Sequence, residues 1–289
     1  MSVKDQLPGD IKVPDLLLPA VIRDGLKTSS FGRERIDYFS VIDSTNVRAR
    51  MIADEGTPEG TIVVAETQLR GKGRRGRSWF SPAGQGIYVS VILRPRIPPS
   101  EAPRLVLMAA VAAAEALLAH AAVPVTVKWP NDILVGGKKI AGILTEMHLY
   151  RDRIAHVVIG MGVNVNTPAE SLPPEIAAIA TSLRIATGQT FSRTELLRTY
   201  LEKLEAWYAL FRERRFEPIR ERWLDLARII GKQVKIAGVG RDYEGEVVDI
   251  DPNGFLILKS PDGAIQQILA GDVSLIEALP HPVSPEEFR

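Results

Sequence analysis

The residues best suited to chemistry form a run of glycines and cationic side chains at residues 70–77, RGKGRRGR. Five of these residues are cationic and the other three are glycine. Glycine lets a backbone approach a ligand closely, and arginine supplies paired donors that match phosphate or carboxylate. The run therefore predicts a loop that binds an anion. An exposed basic loop, or an RNA contact of the Arg-Gly type, is the alternative that these residues leave open.

The glycines of this run also have the spacing of a dinucleotide-binding loop, with Gly71, Gly73 and Gly76 in the glycine positions. Such a loop opens a helix and is followed about 20 residues later by an acidic residue. Here the run continues through SWFSPAGQ towards a strand, and the apolar SVIL stands at that distance. The context excludes a Rossmann-type site.

A second polar segment, KWPNDILVGGKKIAGILTE at residues 128–146, combines lysines with an asparagine and an aspartate. The pattern predicts the end of a strand, a polar turn at Asn131 and Asp132, a glycine hairpin and a second strand that begins near Lys139. A lysine and an aspartate joined by a short loop suit a phosphate and its Mg²⁺. Turn formation alone would also explain Asn131 and Asp132, and Lys138 with Lys139 would also suit a solvated hairpin tip.

Two shorter polar segments are explained equally well by local structure. Asp43 and Ser44 are good helix N-caps before TNVRARMIADEG, although the hydroxyls and free backbone groups of a helix start also suit a neutral polar ligand. The glycines and asparagines of GMGVNVN, at residues 160–166, end an apolar strand, and by themselves they predict a turn.

Strands interspersed with helices must position these segments. The order is not a strict alternation, so it predicts a mixed α+β sheet and not a doubly wound one. We predict helices after Ser44, from Ser100 to about residue 122, and after the capping box that Ser192 and Glu195 form. The predicted strands are IDYFSVI at 36–42, TIVVAET at 61–67, GIYVSVIL at 86–93, VTVKW at 125–129, KIAGILTEMH at 139–148 and IAHVVIGMGVNVN at 154–166.

The pattern changes at Gly231, where short strands separated by turns replace the longer elements. The turn signals DPNG, PDG and GD indicate a small β-barrel. We therefore divide the chain into an N-terminal arm at residues 1–35, a large domain at residues 36–230, and a small C-terminal β-barrel domain with its tail at residues 231–289.

The composition excludes several classes of protein and site. The 289-residue chain has a formal net charge of +1, so a polyanionic partner would need a local basic patch. The absence of cysteine excludes disulfides, thiolate zinc sites and cysteine nucleophiles. The N-terminus lacks the features of a signal peptide, and the apolar stretch at 105–119 is too short to span a bilayer, so we expect a cytoplasmic protein. The histidines lack metal-ligand spacing, which predicts structural or surface roles for His120, His148, His156 and His281.

Five motifs give the chain a resemblance to the biotin protein ligases, the BirA-like family. VIDSTN, the Gly/Arg run with RSWFSP, KWPNDI, KKIAGIL and GVNVN occur in the family's order and spacing. The resemblance is strong over residues 36–166, and the C-terminal barrel is similar to the family's SH3-like domain. It implies a mixed β-sheet catalytic domain with packed helices, similar to class II aminoacyl-tRNA synthetases. It also implies an ATP-dependent enzyme that converts biotin to biotinyl-5'-AMP and transfers biotin to a lysine of a biotin carboxyl carrier protein.

The resemblance also implies roles for individual residues. Lys139 and Arg74 would be catalytic, and Asp132 would bind Mg²⁺. The family usually has arginine at the position of Lys72, where lysine keeps the charge but loses the bidentate geometry. The residues implied in biotin binding are Ser44, Thr45, Asn46, Gln68, Gly71, Lys72, Gly73, Arg74, Lys139 and Gly142. The residues implied in binding ATP or the adenylate are Arg74, Arg75, Arg77, Trp79, Asn131, Asp132, Lys139 and Asn164.

The implied small molecules are biotin, ATP and Mg²⁺, with no permanently bound cofactor, and the implied protein partner is the carrier of acetyl-CoA carboxylase or a related carboxylase. A homodimer is left open. Family members that double as repressors have a helix-turn-helix domain before the catalytic domain, and the arm here is too short for one, so we expect no specific DNA binding. Two alternatives stay open: a lipoate or other acyl protein ligase, which should lack the KWPND and Gly/Arg pairing, and a nucleic-acid-binding regulator that uses residues 70–77.

Overall fold

The computed structural model describes residues 15–238 and 240–276. The larger of its two sheets has seven strands, built from β1 Ile36–Ile42, β2 Ile62–Gln68, β3 Gly86–Leu93, β4 Val125–Lys128, β5 Asp132–Val135, β6 Lys138–Tyr150 and β7 Arg153–Asn164. The strand order is β1-β2-β3-β7-β6-β5-β4. The β1–β2 pair is parallel and the other neighbouring pairs are antiparallel, so the predicted mixed sheet is confirmed.

Helices cover both faces of this sheet. They are α1 Pro19–Arg23, α2 Thr45–Asp54, α3 Pro103–His120, α4 Pro174–Ala177, α5 Leu183–Thr187, α6 Arg193–Arg212 and α7 Glu217–Ala227. All the alanines of α3 except Ala119 are buried where this helix packs against α6, α7 and the sheet. Small side chains let the backbones of packed elements come close together. The predicted capping box of α6 is present in part, because Ser192 Oγ accepts a hydrogen bond from the backbone N–H of Glu195.

Helix α3 corrects one expectation from the sequence. The helix and the 3₁₀ turn before it span Pro99–His120 and have a mean hydropathy of 1.7. By length and composition, this segment could cross a membrane. Within the described residues, however, 67% of the most apolar 18-residue stretch of this helix is buried inside the protein. The helix is therefore long enough to span a bilayer, contrary to the expectation, but it serves as a core helix.

The alternation of side chains along β7 separates the two faces of the sheet. Val157, Ile159 and Met161 belong to the main core beneath α3 and α6. Val158 belongs to a smaller cluster on the other face, where it packs with Ile52 and other apolar residues of α2. The even-numbered residues of β7 therefore face α2, and this face carries the candidate site described below.

The N-terminal residues that are described pack into the main core. Leu17 and Ile22 are fully buried. Arg193, which is also fully buried, pairs with Asp15 at 2.9 Å and with the buried Glu66 at 2.7 Å. Residues 15–35 thus pack against the core of the seven-stranded sheet, and the domain boundaries drawn from the sequence stay predictions.

The C-terminal sheet is antiparallel and has five strands, which confirms the small C-terminal β domain predicted from the short strands and turns. Its strands are β8 Gln233–Ala237, β9 Asp242–Ile250, β10 Leu256–Lys259, β11 Ile265–Ile268 and β12 Asp272–Leu275, in the order β11-β10-β9-β8-β12. The C-terminal sheet docks on the larger domain: Trp129 Nε1 donates to the carbonyl of Gly254 at 3.3 Å, and Arg220 pairs with Asp249 at 2.5 Å. This docking brings the start of β12 to the candidate site.

Two elements differ from the sequence predictions. Asp132 begins a short strand, β5, and is not part of a simple turn, because its backbone pairs with both Lys128 and Gly142. The turn that the GMGVNVN segment favours by itself is wrong at Gly160 and Gly162, and the strand predicted over residues 154–166 is present there. These residues lie inside β7 and pair with β6 and β3, and their lack of side chains makes room for residues above the sheet.

Candidate functional site

Three glycines form the floor of a cleft on the α2 face of the sheet. A Cβ atom at Gly160 would lie 1.9 Å from Asn46 Oδ1, and one at Gly162 would lie 2.4 Å from Trp79 Cε2. At Gly142 a Cβ would be 3.1 Å from both the Trp79 ring and Lys139 Cε. Glycine in the interior of a strand commonly marks such a close approach. The floor therefore lets Trp79 and Asn46 lie directly on the sheet.

The start of α2 supplies buried polar groups at one end of the cleft. Ser44, which occupies the N-cap position, makes no side-chain capping bond, and the backbone N–H of Thr45 donates instead to Gln68 Oε1 at 2.9 Å. Gln68 Nε2 in turn donates to Ser81 Oγ at 3.0 Å. Capping alone thus does not account for Ser44, which is 2% exposed and lines the cleft.

Asn46 is held in the same corner by two strands, β3 and β6. Its amide nitrogen donates to Glu146 Oε2 at 2.9 Å, and its Oδ1 lies 2.6 Å from the Ser90 hydroxyl. The Ser90 hydroxyl is also 2.8 Å from Thr45 Oγ1. These bonds fix the Asn46 amide and order the polar end of the cleft before any ligand arrives.

Residues 70–77, which we call the Gly/Arg loop, cross the open side of the cleft. The backbone N–H of Gly73 donates to the carbonyl of Arg77 at 2.7 Å, and that of Trp79 donates to Gly71 at 2.8 Å. A Cβ at Gly71 would lie 2.6 Å from the Trp79 carbonyl, so the loop needs glycine there to close on itself. The loop is therefore ordered by its own backbone hydrogen bonds, and three of its cationic side chains, Lys72, Arg74 and Arg77, line the cleft.

Asp272, the first residue of β12, holds three arginines of the Gly/Arg loop. Its carboxylate lies 3.7 Å from Arg74, 3.6 Å from Arg75 and 2.5 Å from Arg77. Arg74 also donates to Asn131 Oδ1 at 2.9 Å. Burial lowers the pKa of Arg74, and the nearby Asp272 and Asp132 carboxylates partly offset this effect. Because arginine has so high an intrinsic pKa, the guanidinium stays charged.

Lys139 lies at the centre of the cleft. Its ammonium is 2.7 Å from Asp132 Oδ1 and 5.3 Å from the centre of the Trp79 ring. Its backbone is fixed separately, because the Lys139 N–H donates to the carbonyl of Ile179 at 2.8 Å. The neighbouring Lys138 is exposed. The structure thus favours an ordered lysine in a cleft over the solvated hairpin tip that the sequence left open for Lys139.

Most of the residues selected from the sequence meet in this one cleft. Its lining includes Ser44, Thr45, Asn46, Gln68, Lys72, Gly73, Arg74, Arg77, Trp79, Asn131, Asp132, Lys139 and Gly142. Three selected residues are not part of that lining. Gly71 shapes the Gly/Arg loop, Arg75 donates to the carbonyl of Ala237 on the C-terminal sheet, and Asn164 is buried and donates to the carbonyl of Thr181.

Several lining residues were missed from the sequence. Ser78, Ile143, Leu144 and Met161 also border the cleft. Gly160 and Gly162 carried a usable signal, since glycines at i and i+2 in an apolar strand share one face. Nothing in the sequence indicated that Asp272 belongs to the site, because this residue follows an ordinary turn in the other domain.

The cleft combines groups that suit a molecule with a neutral polar head and an anionic end. Buried amide and hydroxyl groups lie at the α2 end, and an aromatic wall stands beside them. Four cations, Lys72, Arg74, Arg77 and Lys139, line the remaining part. Cations placed in a partly closed site stabilise negative charge that develops during a reaction.

Sequence comparisons place the chain among known ligases. The pattern of the Biotin/lipoate A/B protein ligase family matches residues 38–164, and that of the Biotin protein ligase C terminal domain matches residues 229–276. The Bifunctional ligase/repressor BirA of Bacillus spizizenii is 41% identical over 265 residues, which are 92% of this chain and 81% of that protein. The Biotin--[acetyl-CoA-carboxylase] ligase of Paracoccus denitrificans is 35% identical over 235 residues, which are 80% of this chain and 96% of that protein.

The fold has a matching solved relative. The biotin protein ligase from Aquifex aeolicus in complex with biotin and ATP aligns with a TM-score of 0.71 at 29% sequence identity. The alignment covers 85% of this chain and 100% of that structure. Both sheets of the present fold therefore have counterparts in proteins of one family.

Proposed function

This chain belongs to the biotin protein ligase family, and from that premise we propose how its cleft carries out the biotin–[acetyl-CoA-carboxylase] ligase reaction. Biotin and ATP would bind side by side above the glycine floor. The observation that carries the proposal is that Lys139, Arg74 and the buried polar groups at the start of α2 open into the same cleft. This arrangement fits a ligand with a neutral ring at one end and a carboxylate at the other.

The α2 end of the cleft would bind the ureido ring of biotin. Ser44, which is free of a capping bond, and Thr45 offer hydroxyl groups, and Gln68 and Asn46 offer amides held in place by their neighbours. A site built to hydrogen-bond a polar ring rejects analogues without it, because its buried groups would then be left unpaired. Lipoate has no ureido ring, so these groups favour biotin over the lipoate alternative.

The cationic end would bring together biotin carboxylate and the α-phosphate of ATP. A carboxylate oxygen attacks the α-phosphorus, the bond to the bridging oxygen breaks, and pyrophosphate leaves. Two anions must approach each other in this step. Lys139 would neutralise both and Arg74 would hold the phosphate, so the cations stabilise the transition state more than the separate reactants. Alignment of the carboxylate with the α-phosphate in the cleft accounts for the rest of the rate acceleration.

Asp132 is the proposed protein ligand for the Mg²⁺ that accompanies ATP. Magnesium is generally held by one or two carboxylates together with substrate phosphates and water. Asp132 lines the cleft beside Lys139, and its Oδ1 is buried without a well-formed hydrogen bond, so the residue fits this role. The ion would neutralise charge on the departing pyrophosphate. The ion pair with Lys139 orients the Asp132 carboxylate when no Mg²⁺ is bound.

The second half-reaction joins biotin to the carrier protein. The neutral amine of a carrier lysine attacks the carbonyl carbon of the mixed anhydride and a C–N bond forms. AMP leaves with the electrons of the broken C–O bond, and the nitrogen releases one proton to solvent. We propose the carrier of acetyl-CoA carboxylase as the acceptor and the cytoplasm as the location. The Gly/Arg loop would keep water and other amines away from the anhydride between the two steps.

The proposed first step is tested by exchange of labelled pyrophosphate into ATP. We expect exchange that requires both biotin and Mg²⁺, without any carrier protein, and that is not supported by lipoate. Exchange with lipoate at a rate similar to that with biotin would contradict the assignment of the α2 end. Absence of exchange in the presence of biotin, ATP and Mg²⁺, or exchange that does not depend on biotin, would contradict the proposed first step.

A further inference from the structure

A second polar cluster lies on the α2 face, at the opposite end of α2 from the cleft. Asp54 is the last residue of α2, His148 lies on β6, and His156 lies on β7. His148 and His156 are direct cross-strand partners in the β6–β7 hairpin. The sequence spacing of the histidines predicts structural or surface roles, but strand pairing brings these two together beside a carboxylate.

The geometry of the cluster is that of a set of metal ligands. One side-chain donor atom from each residue lies within 4.8 Å of the other two. Asp54 Oδ1 is 3.8 Å from His148 Nδ1 and 3.8 Å from His156 Nε2. His156 is 1% exposed, and its Nε2 is buried without a hydrogen-bond partner while it points at this cluster. A buried polar atom of this kind requires an explanation, and a bound ion is one of the standard ones.

We propose that Asp54, His148 and His156 form a binding site for a divalent transition-metal ion, with Zn²⁺ as the ion that this donor set suits best. Two imidazoles and one carboxylate are typical zinc ligands, whereas Mg²⁺ and Ca²⁺ prefer sites made of oxygen atoms. Three protein ligands leave one tetrahedral position for water. The ion would tie the end of α2 to the β6–β7 hairpin.

Small movements would complete the site. Zinc bonds of about 2.0–2.1 Å place tetrahedral ligand atoms roughly 3.3 Å apart, so the 3.8 Å separations need to shorten slightly. The imidazole rings are stacked with their planes 5° apart, and one ion cannot lie in two parallel planes. The His148 ring must therefore turn, which is feasible because its side chain is 47% exposed. The buried His156 would serve as the fixed ligand.

The charges around the cluster affect which metal ion it can bind. Burial lowers the pKa of His156, and the positive charges of His148, Arg94 and Arg50 act in the same direction, while Asp54 opposes them. Neutral imidazole is the form that binds a metal. The two arginines also repel a cation, so the site should need an ion that bonds strongly to imidazole. This reasoning favours Zn²⁺ over the Mg²⁺ that is used with ATP.

The test is a zinc titration of the untagged chain by isothermal calorimetry, with excess Mg²⁺ present. We expect one Zn²⁺ per chain at this site, and affinity at least tenfold weaker in His148→Ala and in Asp54→Asn. Both residues are exposed, so these variants should fold. His120→Ala is the matched control, because His120 bonds to Thr199 in another part of the chain and should leave zinc binding unchanged.

Three results would overturn the proposal. The first is the absence of zinc binding above the background seen with Mg²⁺ alone. The second is equal affinity in the wild type and His148→Ala, which would indicate adventitious binding elsewhere. The third is a loss in His120→Ala as large as that in His148→Ala. Visible absorption by bound Co²⁺ gives an independent readout, and its bands should disappear in both cluster variants.

Discussion

Replacement of Lys139 by alanine should remove the main cation between the two reacting anions. The ammonium lies 2.7 Å from Asp132 Oδ1, and without it the cleft retains a carboxylate where biotin carboxylate and the α-phosphate must meet. Loss of one such stabilising group typically lowers the rate by about 10²–10³-fold. We expect at least that loss in biotinyl-adenylate formation. Biotin binding should fall less, because the repulsion between the two anions grows towards the transition state.

Stability should change little in the same variant. The Lys139 side chain is 33% exposed, and a solvent-accessible ion pair contributes roughly 0–1 kcal/mol. Its backbone is held by the carbonyl of Ile179, which the substitution leaves in place. The thermal midpoint should therefore move by only a few degrees. A large drop in the thermal midpoint would mean that the variant loses activity because it unfolds and not because the chemical step is slower.

Single-turnover formation of biotinyl-adenylate from labelled ATP is the assay, and Lys138→Ala is the matched control. Lys138 is the adjacent residue and carries the same charge, but it is exposed and does not line the cleft. We expect near-wild-type rates for this variant. If both variants form the adenylate like the wild type, or if Lys138 is the sensitive residue, the assignment of Lys139 is refuted.

Three further substitutions test other parts of the cleft. Arg74→Gly should release biotinyl-adenylate faster while it keeps some adenylation, and unchanged retention measured by gel filtration would contradict the shielding role of the Gly/Arg loop. Asp272→Asn keeps the side-chain size but removes the charge that holds three arginines, so it should also speed release with little change in the thermal midpoint; wild-type retention would count against that contact. Gly162→Ala would place a Cβ 2.4 Å from Trp79 and displace the indole, so the KM for biotin should rise at least about tenfold, and an unchanged KM would exclude Trp79 as a wall of the site.

The parts of the cleft formed by local structure were predictable from the sequence. Lys139 and Asp132 lie on two strands of one hairpin, so their proximity follows from a short loop. The ends of β1 and β3 coincide with the strands predicted from the sequence at residues 36–42 and 86–93. Periodicity and turn chemistry act over a few residues, and they determine these features.

The features that depend on tertiary contact were not predictable in the same way. Gly160 and Gly162 lie in a strand that the sequence predicted, but the residues that pack on them, Asn46 and Trp79, come from distant segments. Asp272 reaches the Gly/Arg loop only because the C-terminal sheet docks on the catalytic domain. The pairing of His148 with His156 likewise depends on the register of β6 and β7 and not on sequence spacing.

The most direct test of the proposed reaction is transfer of labelled biotin to a carrier. The chain is incubated with radiolabelled biotin, ATP, Mg²⁺ and a biotin carboxyl carrier domain, and label on the carrier is measured after denaturing gel electrophoresis. A carrier whose acceptor lysine is replaced by arginine is the control. We predict label that requires ATP, survives denaturation and is absent from the control. Absence of label on the intact carrier, or equal labelling of the control, would contradict the proposed function.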